Sequence, residues 1–320
     1  MTDSGTTSTS YSPIEAVLAS ELARGDLVLG TVGPMLGMLL ASHDSALFTD
    51  EVVAGVRGMG LHVARQMLTA QAKAAGVEES CVFAVEHADA LAEALTANLQ
   101  FLGHCHVLAL EHRLSTHLER SNAIDPVLSP LLQSLTGAPD AETAQLAKAA
   151  LGAQARFTEQ QRRTELPLRE LPPSLFEQAL SLWRSRATGA ERSVVEETVE
   201  HLREAYDPQA RRVSLLERVA GMIGEGPRSM LSVEHAGVAL FLSALALATN
   251  QDRDLIALAT NESQVGRLAL ALRGAGLSPE QIAKQFVLVH PGVLVPEGLD
   301  SLPSDRAAAL LAASDRQALG

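Results

Sequence analysis

The chain has 320 residues, 47% hydrophobic but only 3% aromatic, and a formal net charge of −13. So much apolar residue excludes global disorder, and a core built from Leu, Ala, Val and Met with few aromatics favours packed helices over sheets. The acidic balance opposes phosphate backbones and anionic lipid heads, so nucleic acid and membrane surfaces are not expected partners.

Residues 1–12 are rich in Ser and Thr and are expected to form a flexible tail without the basic and apolar regions of a secretory signal. The two cysteines, Cys81 and Cys105, make neither a disulfide framework nor a CxxC motif, which fits a reducing cytoplasm. A first helix is predicted over 13–24, stopped at Gly25. A nearly apolar second helix follows over 27–41, kinked or broken at Pro34. A polar turn at 42–45 precedes an amphipathic helix over 50–75, ended by Gly76. The next prediction organises the N-terminal half. Ala88, Leu91, Leu95, Leu99, Leu102, His106, Leu110 and Leu114 recur three or four residues apart, the spacing of one helix face. They predict a single helix over 83–121, about 55 Å long at 1.5 Å per residue, with Gly103 as the place to bend. It is the expected centre of an N-terminal helical domain over 13–137.

Gly137, Ala138 and Pro139 mark a break, and Asp140 is placed to cap a polar helix. Residues 138–173, ending in a segment with three prolines, read as a polar connector and linker. A C-terminal helical domain is predicted over 174–320. Its expected caps are Ser174 with Glu177, Ser214 with Glu217, Ser232, and Ser278 with Gln281. A single helix is expected over 254–273. Neither of the two most apolar runs, 27–41 and 236–249, reaches the roughly 20 residues that span a bilayer. The order of breaks and helices over 13–70 returns over 214–272, a pattern open to duplication or to the likeness of all Ala/Leu-rich helices. No segment is rich in strand signals. The prediction is therefore an all-α protein, a multi-helix bundle or helical-repeat-like array in two subdomains.

The 83–121 stretch carries five of the ten histidines. His104 and His106 project about 200° apart on a helix, and His112 and His117 about 140° apart. No pair has the i,i+4 spacing of a helical chelate, so His104 and His106 would bind a metal only with ligands from elsewhere. The plainer reading is structural histidines. Glu111, His112 and Arg113 place an acid, a histidine and a cation together, the groups a phosphoacceptor histidine needs. A charged, solvated helix face explains the same residues. Glu86, Asp89 and Glu93 form a carboxylate line without the Glu-x-x-His of a dimetal bundle, and read as an exposed stripe. The glycines of 221–226 lie between helices and match no nucleotide loop. Arg162, Arg163, Arg169, Arg184, Arg186, Arg192, Arg211 and Arg212 gather near the linker, either to bind acidic groups or as scattered surface charge.

The function expected on these grounds is a non-catalytic helical interaction, scaffold or regulatory protein of the cytoplasm. It would have a protein partner or a second copy of itself, and no cofactor. The alternatives are a phosphorelay component using His112, and a helical-bundle metal protein or enzyme using His104, His106 or Glu111 with ligands from other helices.

Overall fold

The computed structural model describes residues 12–41, 50–189, 191–223 and 228–318. The predicted tail up to residue 11, the turn at 42–45 and the glycine-rich break at 224–227 lie outside the described residues. Among the described residues there are fourteen α-helices and no strand. They are α1 (Pro13–Ala41), α2 (Asp50–Ala74), α3 (Ser80–Thr96), α4 (Leu99–Asn122), α5 (Pro130–Thr136), α6 (Ala141–Arg162) and α7 (Pro173–Arg186). There follow α8 (Glu191–Glu204), α9 (Arg212–Ile223), α10 (Val233–Thr249), α11 (Arg253–Leu258), α12 (Val265–Gly274), α13 (Pro279–Val289) and α14 (Ser304–Ala318). The all-α class follows from the composition: alanine and leucine have high helix propensity and stack through small, regular surfaces.

Several local signals act as the sequence suggests. Gly76 takes φ +73° after α2, and the Val77 amide donates to the Ala72 carbonyl at 2.9 Å, closing the helix end with a left-handed cap. Asp140 accepts from the Thr143 amide at the start of α6. Ser278 and Gln281 form a complete capping box on α13.

Other boundaries differ, each for a physical reason. The predicted 83–121 helix is two helices, α3 and α4. The chain turns at Asn98, which leaves the helical region at φ −78°, ψ 115°, and its side chain accepts from the Gln100 and Phe101 amides. Asparagine is a strong N-cap, and here that local preference interrupts the periodic apolar face. Gly103 lies inside α4, not at a break. Conversely, α1 runs unbroken through Gly25 and Pro34. Gly25 is a point of close approach: a Cβ there would lie 2.6 Å from Gln264 Oε1, and Gln264 donates to the Gly25 carbonyl at 2.8 Å. Ser174 and Ser214 do not start helices, since α7 begins at Pro173 and α9 at Arg212. Ser232 makes no side-chain cap, and the Val233 amide donates to Gln285 Oε1. Within α10 the chain kinks at Gly237, φ +72°. The predicted 254–273 helix is split at Asn261, whose side chain accepts from the Ser263 amide.

Two apolar cores result. One gathers Leu118, Leu132, Ala147, Leu216, Phe241, Leu268, Phe286 and Leu311 with Leu18 and Leu22 of α1. The other gathers Val63, Met67, Leu91, Phe101, Phe157, Phe176 and Trp183 with Leu36 of α1. Each core draws on chain from both sides of 138–173. Helix α4 belongs to both: Leu102, Cys105 and Leu108 enter the second core, Val107, Leu114 and Leu118 the first.

Candidate functional site

A helix that serves two cores is buried on most sides, and α4 therefore buries polar residues as well. His104, His106, Glu111 and Ser115 are all nearly inaccessible, Glu111 at 2%. A buried carboxylate is tolerated only when charge and hydrogen bonds replace its water. Glu111 has both. Oε1 accepts from Arg212 Nη1 at 2.6 Å, and Oε2 accepts from Arg212 Nη2 and from both terminal nitrogens of Arg253, each at 3.1 Å. Arg212 thus grips both carboxylate oxygens with its fork.

The surrounding helices complete the cluster. Arg212 Nη1 also donates to Gln154 Oε1 of α6 at 3.0 Å, and its guanidinium carbon lies 3.6 Å from the Phe157 ring centre. Arg253 Nε donates to Ser243 Oγ of α10 at 2.9 Å. Three helices, α4, α9 and α11, therefore meet on one carboxylate, and α6 and α10 join the cluster through its two arginines. Burial alone would raise the Glu111 pKa, but the two arginines outweigh it and hold the carboxyl far below its ordinary range. Burial would likewise lower the pKa of Arg253, and Glu111 raises it instead. Two cations share one carboxylate here. The remaining positive charge is met by Asp254 and Glu217, both within electrostatic reach of Arg253.

The residues singled out from the sequence go to different places. His104 contacts Asp254 Oδ2 of α11 through Nδ1 at 3.0 Å. Burial would raise the Asp254 pKa, but this contact lowers it. His106 is buried separately, and desolvation together with the nearby Arg113 charge lowers its pKa to about 4. His104 and His106 do not meet, and no three potential metal ligands converge among the described residues. His112 is half-buried beside a narrow crevice bordered by Thr158, Glu119 and Arg162. Its pKa is lowered, first by desolvation. Glu111, its neighbour in sequence, is committed to the two arginines. Arg113 faces solvent on another side of the helix. Glu86, Asp89 and Glu93 are exposed on α3. Cys105 is fully buried, and burial pushes its thiol pKa up, away from nucleophilic chemistry.

The arginine group also divides. Arg212 is 1% exposed and binds acidic groups of the chain itself, whereas Arg162, Arg163, Arg184, Arg186 and Arg192 are exposed. Arg253 and Gln154 carry no sequence signal that separates them from surface residues. A further buried arginine, Arg267, donates to Asp26 of α1 and to Ser314 of α14, and Ser314 donates to Asp26 at 2.7 Å. Arg306 of α14 donates to Glu15 at 2.6 Å. Ionic contacts, one buried and one partly exposed, thus fasten α1 to α12 and α14.

No protein-family model, curated protein or solved structure matches this chain.

Proposed function

We propose that this protein is a helical interaction protein, a scaffold or regulatory module that works by contact with a protein partner. The observation that supports this is the outer face of α1. Residues 27–41 contain no charged side chain. Leu27, Thr31, Pro34 and Met38 fall on one stripe of that helix, and all are exposed, Leu27 by 74% and Met38 by 63%. Val28 adds to the same side. An uncharged, largely apolar stripe left in water is costly, and its usual reason is a partner. None of the described helices is long and apolar enough to cross a bilayer. The buried polar groups support the same reading, since Glu111, Arg212 and Arg253 are spent on holding helices together.

Affinity capture from the native cell tests the proposal, with the doubly substituted Leu27→Glu, Met38→Glu variant as comparison. Wild type should retain a defined partner, or a second copy of itself, which the variant loses while keeping its helix content. Identical captures by both proteins would remove α1 from the account. A phosphodonor assay that labels wild type and spares His112→Ala would favour the relay alternative instead.

A further inference from the structure

The break that splits the predicted 254–273 helix opens a pocket of about 420 Å³ against the second half of α4. Small-molecule sites commonly have about this volume. Leu110 and Leu114 of α4 are buried and give it an apolar wall. Arg113 and His117, on the same helix face, stand at its rim and are exposed. Glu262 lies in the opposite wall, and His290, at the end of α13, is only 1% exposed.

His290 is the telling group. Its Nε2 is buried and has no hydrogen-bond partner among the described residues. In a neutral imidazole one ring nitrogen carries the proton and the other is a lone-pair acceptor, and an unpartnered Nε2 is free to take the second role. Desolvation lowers the pKa of His290 and keeps it neutral. A buried acceptor left empty costs free energy, so Nε2 calls for a donor. Glu262 is near enough to act electrostatically on the same ring and adds negative charge beside it. The far rim, with Arg113 and His117, offers the opposite: donors for a carboxylate. Arg113 forms no ion pair among the described residues.

We propose that this pocket binds a small aliphatic zwitterion, a molecule of the amino-acid or dipeptide class. Its ammonium donates to His290 Nε2 and Glu262, its carboxylate accepts from Arg113 and His117, and its apolar body lies on Leu110 and Leu114. Charge alone would accept any salt; the apolar wall between two opposite poles selects a molecule with both ends and a hydrocarbon middle.

The test is calorimetric titration of the full chain with L-leucine and L-leucyl-L-leucine, with 4-methylpentanoate and 3-methylbutylamine as singly charged controls. At least one zwitterion should bind with a dissociation constant of about 1 mM or below, about tenfold tighter than either control. Arg113→Met should weaken the zwitterion about tenfold and leave the amine unchanged, and Glu262→Gln should do the reverse with the carboxylate control. Both side chains are exposed, so both variants should keep the wild-type melting temperature to within about 1 °C. In the same titration the His290 ring resonances should move. No heat from either zwitterion up to about 10 mM, equal binding of the controls, or a His290 signal that stays fixed would each overturn the assignment.

Discussion

Replacing Glu111 by glutamine removes the charge on which two buried guanidiniums converge, and preserves side-chain size. In the wild type that carboxylate accepts four hydrogen bonds, at 2.6 Å and three times at 3.1 Å. Each charge-assisted bond is worth about 1.5–3 kcal/mol net, but bonds to a single group are not additive, and the glutamine oxygen keeps part of them. What cannot be kept is neutralisation: Arg212 and Arg253 would face each other inside the protein. Removing one partner of a buried ion pair costs about 3–5 kcal/mol. A chain of this length unfolds with an entropy of about 0.7 kcal/mol per kelvin, so the melting temperature should fall by about 4–7 °C. Thermal unfolding followed by far-ultraviolet circular dichroism reads this directly. The exposed substitution Glu86→Gln should move the transition by no more than about 1 °C. The acid limb adds a sign. A carboxyl held below its ordinary pKa of 4.5 stabilises the fold above that value, and the contribution fades as pH falls further. Glu111→Gln should therefore lose stability less steeply than wild type below about pH 4.5. A Glu111→Gln protein that melts with wild type at neutral pH would refute the reasoning.

Other consequences are as direct. His106 is held neutral, with a pKa of about 4 against an ordinary 6.5, so stability is full above 6.5 and drains away as pH falls toward 4. The gap corresponds to about 3 kcal/mol, and urea titrations of His106→Leu should show a flatter pH dependence through that window. Ala123 ends α4 with φ +55°, a left-handed conformation that costs a non-glycine residue about 1 kcal/mol. Ala123→Gly should raise the melting temperature by about 1–2 °C, and a fall would contradict that account of the cap. Elemental analysis of the purified protein should find no stoichiometric metal held by His104 and His106, and a bound metal lost in both alanine variants would restore that alternative.

The fold class was open to a sequence reading because it depends on composition and period, which every helix repeats. Terminators with one local meaning were equally legible, as at Gly76, Asp140 and Ser278. The errors arose where local and tertiary signals compete. Asn98 caps a helix inside a periodic apolar stretch, and Asn261 does the same in the C-terminal half. Gly25 resembles a stop, yet it serves the close approach of Gln264. The ionic centre was the least legible part. Glu111 was visible as an acid beside a histidine, but its partners lie 101 and 142 residues away in sequence. An arginine at the start of a short helix looks the same in sequence whether it faces water or another helix.

Native-state hydrogen exchange on wild type and Glu111→Gln tests most directly the claim that one buried carboxylate fastens helices from distant parts of the chain. The account predicts that amides in α4, α9 and α11 are protected together in wild type, and that the substitution lowers their protection by a common factor while α3 and α7 change less. Faster exchange confined to α4, with α9 and α11 untouched, would contradict it.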